Sequence, residues 1–357
     1  MQIIAITQGD VAGIGPEIIA KCFAAHPHNL RGCFVAGDVQ VMRKAASLLV
    51  LPGQTALPIA LIAKPEEAMD LPPRCIPVLQ VGPAMQPVPT GQVSGTSGEF
   101  GGRCVAWAAS AALRGDIAAM VTAPLHKEAL SAAGAPYNQF PGHTEMLQAA
   151  AAQHLGKAVA DVPVRMMLAN DELRTVLVSI HTSLRNAIDA VTFDNVLQTL
   201  LITHGALLQM LGRPPRIAVA GLNPHAGEGG LFGKEEIDTI APAIQAALAQ
   251  GCNVSGPWAP DTVFMRARKP MGQAATFDVV VAMYHDQGLI PVKYLGVEKG
   301  VNVTLGLPLV RTSPDHGTAF DIAGTGRADA SSLLEAVRMA QSLTKSHNSP
   351  NGLPQRN

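Results

Sequence analysis

Short apolar runs alternate along the chain with longer segments in which apolar residues recur every three or four positions. The short runs predict β-strands and the longer segments predict amphipathic helices. The predicted strands are Ile3–Thr7, Cys33–Gly37, Ile59–Ala63, Ile117–Thr122, Val164–Ala169, Thr175–Ile180, Arg216–Gly221 and Asp278–Met283. The predicted helices are Pro16–Ala25, Val39–Leu49, Ser97–Arg114, Thr144–Gln153, Thr192–Leu211, Lys234–Gln250 and Ser331–Thr344. This alternation predicts an α/β protein with a largely parallel sheet covered on both faces.

Two segments do not fit the alternation. Residues Leu71–Thr96 are rich in Pro, Gly, Gln and Val, and we expect irregular surface structure or edge strands there. The tail at 346–357 contains Asn, Ser, Pro and Gln and is predicted to be disordered.

Composition narrows the class of protein. The chain has 357 residues, 48% of them hydrophobic and 15% charged, which suits two domains of ordinary size or one large α/β body. A net charge of -1 without a Lys/Arg run argues against nucleic acid or an anionic membrane as a partner. The apolar stretch Val196–Leu211 contains polar residues and is too short to span a bilayer.

Cysteine content and the first residues bear on the compartment. The five cysteines are scattered and form no CxxC motif, which is typical of free thiols in a reducing compartment. Residues Met1–Thr7 lack the charged region of a signal peptide and instead predict a first strand. We therefore expect a cytoplasmic protein.

Five unusual polar clusters each follow the carboxyl end of a predicted strand. They are Thr7–Asp10, Thr122–Lys127, His181–Arg185, the segment around His225, and Tyr284–Gly288. In open α/β sheets, ligands bind in the crevice beyond the carboxyl ends of the strands. We therefore expect a ligand site built from these clusters.

Three of the clusters contribute one histidine each, His181, His225 and His285. Each could be a surface or hydrogen-bonded structural residue. Together they match the three-ligand arrangement of a catalytic metal site that keeps one position open, and imidazole suits Zn²⁺ or another divalent transition metal better than Ca²⁺. The spacing is no local signature, so both interpretations stay open. His225 lies in GLNPHAGEGG, whose glycines allow the backbone to approach a small ligand closely.

Two glycine-containing segments open predicted helices. His143 and Thr144 begin one helix, where free backbone N–H groups favour an anion, although Thr144 could also be an ordinary N-cap. Gly13–Glu17 begins another but lacks the third glycine of GxGxxG, so a conventional dinucleotide fingerprint is absent.

Other polar and charged residues could either bind a ligand or have an ordinary structural role. Lys293, Asn302 and Arg311 supply two cations and an amide that could hold a phosphate and a carboxylate, or they could be ordinary solvated groups. Asp261 and Asp286 could contact a substrate amine or orient a metal-ligating histidine.

With these motifs assembled, the chain resembles the 4-hydroxythreonine-4-phosphate dehydrogenases of vitamin B6 biosynthesis from Ile6 to about Leu343. The resemblance rests on Gly9–Glu17, His126-Lys127, Gly142–Glu145, Leu222–Gly230, Ala282–Gly288 and Asn302–Pro308. It implies an oxidation of 4-phosphooxy-L-threonine at C3 that uses NAD, or NADP. The resulting 2-amino-3-oxo-4-phosphooxybutanoate would lose CO₂ to give 3-amino-2-oxopropyl phosphate for pyridoxine 5′-phosphate synthesis.

The resemblance also implies roles for individual residues. His181, His225 and His285 would bind one divalent metal per site, which could be zinc, magnesium, manganese or cobalt. The implied substrate-binding residues are His143, Thr144, Lys293, Asn302 and Arg311, to which we add Asp261. Asp286 is a candidate general base, with a water at the metal as the alternative, and Lys293 is a second candidate for a catalytic role.

The same family is similar, more distantly, to the isocitrate and isopropylmalate dehydrogenases. Asp315–Gly324 resembles their adenosine-binding loop, which makes His316, Gly317 and Asp321 candidate cofactor residues. The expected fold has two α/β/α domains with largely parallel sheets and an interdomain cleft. We expect residues 1–135 plus 300–345 in the first domain and 136–299, with the metal histidines, in the second. The resemblance further implies a homodimer with the active site at the subunit interface.

The substrate stays open because the chain departs from the usual family pattern. Gln8 and Val11 replace prolines of the first loop. Relatives of the family act on phospho-threonate or on aromatic cis-dihydrodiols, whereas Lys293, Asn302 and Arg311 favour a phosphorylated substrate. The alternatives are an oxidation of 4-phospho-D-threonate or a related phosphorylated hydroxy acid and, in a different class, a metal-dependent phosphohydrolase.

Overall fold

The computed structural model describes residues 2–50, 53, 55–269 and 275–345. In chain order the strands are β1 Ile4–Thr7, β2 Cys33–Gly37, β3 Ile59–Ile62, β4 Ile76–Gln80, β5 Ala119–Thr122, β6 Arg165–Ala169, β7 Arg174–Leu177, β8 Ile217–Ala220, β9 Val254–Trp258, β10 Val279–Ala282, β11 Val301–Leu305 and β12 Arg311–Pro314. The α-helices are α1 Gly15–Ala25, α2 Val39–Ser47, α3 Gly95–Arg114, α4 Lys127–Ala132, α5 His143–Leu155, α6 Leu184–Asp189, α7 Phe193–Leu211, α8 Ala241–Ala249, α9 Pro260–Ala267, α10 His285–Tyr294 and α11 Ser331–Lys345. The tail at 346–357, predicted to be disordered, lies outside the described residues.

The chain divides into two compact units. Unit 1 runs to Pro163 and resumes at Leu307, and unit 2 runs from Val164 to Gly306. These divisions lie later in the chain than the expected boundaries after 135 and 299. The first differs because α5 packs on α3, so that Met146 and Leu147 share a core cluster with Phe100.

Unit 1 contains a sheet of six parallel strands in the order β3-β4-β2-β1-β5-β12. Its central strands are short apolar runs buried along their whole length, as both faces carry helices. Phe34, Phe100, Val105 and Met120 lie in a core cluster between the sheet and α3. The parallel order places the carboxyl ends of β1 and β5 side by side, with Thr7 opposite Thr122.

Unit 2 contains a mixed sheet in the order β11-β6-β7-β10-β8-β9. The four strands β7, β10, β8 and β9 are parallel, whereas β6 is antiparallel to both of its neighbours. Leu168, Leu177, Val263, Val280 and Leu289 belong to its core cluster. The parallel part brings the loops after β7, β8 and β10 to one edge of this sheet.

Local sequence signals fix the ends of the long helices. The Ser94 hydroxyl caps α3 by accepting the N–H of Ser97, and the Thr192 hydroxyl caps α7 in the same way. Gly115 and Gly212 end these two helices in the left-handed conformation, at φ 82° and 65°. These signals explain why the predicted bounds of both helices agree with the structure within two residues.

The prediction of an α/β protein with largely parallel sheets is confirmed. The edge-strand expectation for Leu71–Thr96 is wrong for β4, which pairs with β2 on one side and with β3 on the other. Strands β9, β11 and β12 were not predicted, because Gly, Pro, Asn and Arg interrupt their apolar pattern. No helix within the described ranges is long and apolar enough to cross a membrane, and all five cysteines are buried free thiols.

Candidate active site

Each of the five polar clusters lies just beyond the carboxyl end of a strand, as predicted. Two follow β1 and β5 in unit 1, and three follow β7, β8 and β10, which are neighbours in the sheet of unit 2. Two side chains connect the three segments of unit 2. The Ser179 hydroxyl donates to the carbonyl of Met283 at 3.0 Å, and the Gln287 amide donates to the carbonyl of Gly221 at 2.8 Å. The segments that carry the three histidines are therefore held together.

His181 and His285 lie close together at this edge. Their ring centroids are 5.7 Å apart, and both line a cavity of about 240 Å³ with Ser179, Thr182 and Tyr284. Nδ1 of His285 is 2.7 Å from Oδ1 of Asp286. A carboxylate at one ring nitrogen fixes the tautomer and directs the other nitrogen, Nε2, toward a ligand.

His225 lies in a short turn after β8 whose backbone is unusual. His225, Ala226 and Glu228 have φ values of 53°, 54° and 44°, and the intervening Gly227 is also left-handed at 79°. His181 has φ 47°. Residues other than glycine rarely adopt this left-handed region of backbone conformation, and those that do concentrate at functional sites.

Within the described part of this single chain, no three His, Cys, Asp or Glu side chains are grouped closely enough to hold a metal ion. The structure thus brings His181 and His285 together, whereas His225 does not complete a three-ligand group with them. The residues nevertheless fit a divalent transition metal in their chemistry, because two imidazoles converge and one is oriented by a carboxylate.

A second group of candidate residues gathers around Arg311 in unit 1. Arg311 is 5% exposed, and its Nε and Nη2 donate to the hydroxyl of Thr122 at 3.0 and 2.8 Å. Burial lowers the pKa of Arg311 to about 10, with Glu145 opposing that effect. Burial and the neighbouring Arg311 cation lower the pKa of His143 to about 3. A buried cation thus lies beside an imidazole that is neutral at pH 7.

His143 is the first residue of α5, and Nε2 of its ring is buried without a hydrogen-bond partner within the described ranges. The N-cap of α5 is Gly142, with no side-chain cap, so the interpretation of Thr144 as the N-cap is wrong. Thr144 lies in the first turn, where backbone N–H groups are unpaired. Helix start, buried cation and unpartnered ring nitrogen together suit an anion.

Four other predicted residues lie in unit 2. Lys293 is in α10, Asn302 is in β11 opposite Leu168, and Asp261 is an exposed residue in the first turn of α9. Asp286 is 70% exposed and contacts His285. Of these four, Asp286 is in contact with a predicted metal ligand, His285.

The predicted cofactor loop belongs to unit 1, and the motif after β1 holds it. The N–H of Ile14 donates to the carbonyl of Thr318 at 3.0 Å, and the ring of His126 stacks on Phe320 with centroids 4.7 Å apart. A Cβ on Gly13 would lie 2.9 Å from Thr318, so this approach requires glycine. His316 is partly buried, and Gly317 and Asp321 are exposed.

Two residues of α1, Lys21 and Glu17, hold the chain segment that follows this loop. The Lys21 ammonium donates to the carbonyls of Gly326, at 2.8 Å, and Ala328, and the Glu17 carboxylate accepts the N–H of Ala328 at 2.9 Å. Sequence reasoning missed Lys21, Glu17 and the contact of Thr122 with Arg311. Glu17 and Thr122 lie in the polar motifs that follow β1 and β5, and Lys21 lies close to the first of them. No local sequence pattern indicates that their partners lie some 200 to 300 positions away.

A comparison with protein families identifies the family of the chain. The model of the pyridoxal phosphate biosynthetic protein PdxA matches residues 29–340. The chain belongs to the PdxA family. The predicted resemblance is therefore confirmed, and the family is one of dehydrogenases.

Two PdxA relatives and one solved structure show how close the similarity is. A 4-hydroxythreonine-4-phosphate dehydrogenase of Beijerinckia indica is 52% identical over 95% of this chain and 94% of the relative. A D-threonate 4-phosphate dehydrogenase of Pectobacterium atrosepticum is 43% identical over 96% and 99%. The crystal structure of a 4-hydroxythreonine-4-phosphate dehydrogenase from Klebsiella pneumoniae is 39% identical, with a TM-score of 0.83 over 96% of this chain and 100% of that one. Both named activities are dehydrogenations of phosphorylated hydroxy acids.

Proposed function

We propose that the chain oxidises 4-phosphooxy-L-threonine at C3 with NAD, or NADP, to 2-amino-3-oxo-4-phosphooxybutanoate. Loss of CO₂ from this β-keto acid gives 3-amino-2-oxopropyl phosphate, a precursor for pyridoxine 5′-phosphate. The observation that carries the proposal is the buried Arg311 beside a neutral His143 at the start of α5, in a chain of a dehydrogenase family.

The group around Arg311 supports a phosphorylated or carboxylated substrate. Keeping a cation buried costs free energy, as the lowered pKa of Arg311 indicates. Such a cost is typical of a functional site, where a bound anion would stabilise the buried cation. The neutral His143 can donate its ring N–H to a phosphate or carboxylate oxygen without adding a second buried cation. We propose that Thr144, Lys293, Asn302 and Asp261 complete the substrate contacts.

We propose that His181, His225 and His285 hold a divalent metal such as zinc, cobalt, magnesium or manganese. When bound, such an ion supplies a Lewis acid for the substrate hydroxyl and for the ketone formed from it. Asp286 orients the ring of His285 through Nδ1 and is placed to accept a proton at the same edge. Lys293 lies seven positions beyond Asp286 on the same helix and is a second candidate for proton transfer or charge stabilisation.

The loop at 315–324 supports a dinucleotide as the oxidant. It is fixed to the motif after β1 by the Ile14 hydrogen bond and to the cluster after β5 by the stack of His126 on Phe320. A loop held in this way is preorganised, which reduces the entropy lost on binding. We propose His316, Gly317 and Asp321 as its cofactor contacts.

We further propose that the chain acts as a homodimer with the active site at the subunit interface. The segments that carry the histidines also expose large apolar side chains, which are Leu184, Leu231, Phe232, Ile290 and Tyr294. Exposed apolar side chains of this size are typical of interaction surfaces. A second subunit would bring further side chains to the edge where, among the described residues, His181, His225 and His285 do not form a three-ligand group by themselves.

A second candidate substrate is 4-phospho-D-threonate. It is favoured by the 43% identity to relatives in Pectobacterium atrosepticum and Salmonella typhimurium that are named D-threonate 4-phosphate dehydrogenases. The two substrates differ at the carbon next to the carboxylate, where one has an amine and the other a hydroxyl. Asp261 and Asp286 are the candidate partners for an ammonium group.

The test compares both substrates with the metal-loaded protein and NAD, with NADH absorbance as the measurement. We expect a higher kcat/KM for 4-phosphooxy-L-threonine, and we expect a chelator and His225→Ala to abolish turnover. His28→Ala, at an exposed histidine of unit 1, is the matched control and should keep full activity. Turnover of the threonate alone would reassign the substrate, and NADH production that survives both chelator and His225→Ala would contradict the metal site.

A further inference from the structure

The turn that carries His225 runs through five successive residues in the left-handed region. Three of them, His225, Ala226 and Glu228, are not glycine. A left-handed residue other than glycine costs roughly 1–2 kcal/mol, and such residues persist only when their surroundings hold them. Backbone hydrogen bonds flank the turn, from the N–H of Ala226 to the carbonyl of Asn223 at 3.1 Å and from the N–H of Phe232 to the carbonyl of Gly227 at 3.1 Å, with a longer one from Leu231 to Glu228 at 3.4 Å.

A buried carboxylate lies against this turn. Glu236 is 2% exposed, and its Oε1 accepts the backbone N–H groups of Leu222 and Asn223, each at 2.7 Å. Its Oε2 accepts the side-chain amide of Asn223 at 2.9 Å. A Cβ added to Gly227 would lie 2.8 Å from the same Oε2, so the carboxylate also lies next to the middle of the turn.

Glu236 opens the π-helical segment Glu236–Ile240, which precedes α8. π-helical turns are rare and are found mainly at functional sites, where they aim a side chain that a regular helix would direct elsewhere. Here the first residue of the π-segment is the one that accepts three N–H groups from the entry to the turn. Glu236 is neither a proposed metal ligand nor a proposed substrate or cofactor contact.

We propose that Glu236 is a positioning residue for His225, holding the left-handed turn in the conformation that presents this imidazole to the metal. The inference rests on the proposed metal site and extends it to a residue without a direct part in ligation. The carboxylate fixes the entry to the turn at Leu222 and Asn223, and it contacts the turn again at Gly227. His225 lies between these two points.

Glu236 and its neighbour Glu235 differ in the hydrogen bonds that they accept, so substitutions at the two positions should have different effects. A carboxylate accepts at both oxygens, whereas the amide of glutamine has one acceptor and one donor. In Glu236→Gln the amide oxygen can keep the two backbone N–H groups, but its NH₂ then faces the NH₂ of Asn223. The Glu235 carboxylate accepts the side-chain amide of Asn223 at 2.7 Å, and its backbone hydrogen bonds come from Lys234 and Glu235 rather than from the entry to the turn. Glu235→Gln is therefore the matched control.

The test is a titration of the metal-free protein with Co²⁺, followed by the visible absorption of the bound ion. We expect Glu236→Gln to weaken Co²⁺ binding about tenfold to a hundredfold, the range found for residues that orient metal ligands, with an altered spectrum. Glu235→Gln should stay within about threefold of the unmodified chain. Circular dichroism checks the fold, and Glu236→Asp, which keeps the charge but shortens the reach, is the second variant if Glu236→Gln does not fold.

A rescue separates positioning from a general structural role. Glycine adopts the left-handed region without strain, so Ala226→Gly should restore part of the Co²⁺ affinity lost in Glu236→Gln. Loss of affinity without rescue would overturn the positioning role. Equal Co²⁺ binding by the unmodified chain and both Glu236 variants would overturn the inference alone. An unmodified chain that fails to bind Co²⁺ would overturn the proposed metal site and this inference with it.

Discussion

Replacing Arg311 with methionine tests whether its charge serves binding or the fold. Methionine keeps the length and apolar stem of the side chain but removes the cation. Because Arg311 is 5% exposed and burial lowers its pKa by more than two units, to about 10, the charged form carries a free-energy cost in the folded state. At ~1.4 kcal/mol per pKa unit this cost is about 3 kcal/mol.

The variant also loses the two hydrogen bonds to the Thr122 hydroxyl, which contribute about 1 kcal/mol each. The gain and the loss nearly cancel, so the free energy of unfolding of Arg311→Met should lie within about 1–2 kcal/mol of the unmodified value. Binding should change far more, because a desolvated cation that pairs with an anion contributes about 3 kcal/mol, equivalent to a hundredfold in affinity.

The assay combines urea unfolding with steady-state kinetics on the phosphorylated substrate. We expect Arg311→Met to lower kcat/KM about a hundredfold with near-normal stability. Arg114→Met, at an arginine of the same unit whose side chain is 56% exposed, should change neither quantity. A large loss of stability with an unchanged kcat/KM would refute the reasoning and make Arg311 a structural residue.

Two further predictions concern stability. The folded state keeps His143 neutral, with a pKa of about 3 against 6.5 when unfolded, so stability should fall by about 1.4 kcal/mol per pH unit as pH drops below 6.5. Urea unfolding at pH 7 and pH 5 should show that the loss of stability between these pH values is smaller in His143→Gln. The same loss in the variant and the unmodified chain would contradict the assignment to His143. Asp278 is 7% exposed and accepts hydrogen bonds from Arg213 and Arg216. Asp278→Asn should therefore lower the free energy of unfolding by about 3 kcal/mol. The exposed pair partner Asp116, changed to Asn, should cost less than about 0.5 kcal/mol, and equal losses for the two variants would contradict the role of burial.

The sequence allowed the strand-end clusters to be predicted because an apolar run that ends in polar residues is a local pattern. The β1, β5, β8 and β10 runs were recognised in this way, and the parallel order then brings their carboxyl ends to an edge of each sheet. The pairing of His181 with His285 follows from that order, since β7 and β10 are neighbours.

Other features depend on contacts between distant positions and leave no local signal. The hydrogen bonds between Arg311 and Thr122 join residues 189 positions apart. The glycines around His225 indicate an unusual backbone, but they do not indicate that three of the left-handed residues are not glycine, nor that Glu236 accepts the N–H of Asn223 at the entry to the turn. The place of α5 in unit 1 depends on its packing against α3, which the periodicity of α5 alone does not specify.

The central claim is that the chain couples oxidation of a phosphorylated hydroxy amino acid to loss of CO₂. The most direct measurement is the stoichiometry of NADH, CO₂ and inorganic phosphate released by the metal-loaded protein from 4-phosphooxy-L-threonine and NAD. The account predicts equal amounts of NADH and CO₂ and no inorganic phosphate. Inorganic phosphate released without NADH would contradict the account and indicate a metal-dependent phosphohydrolase.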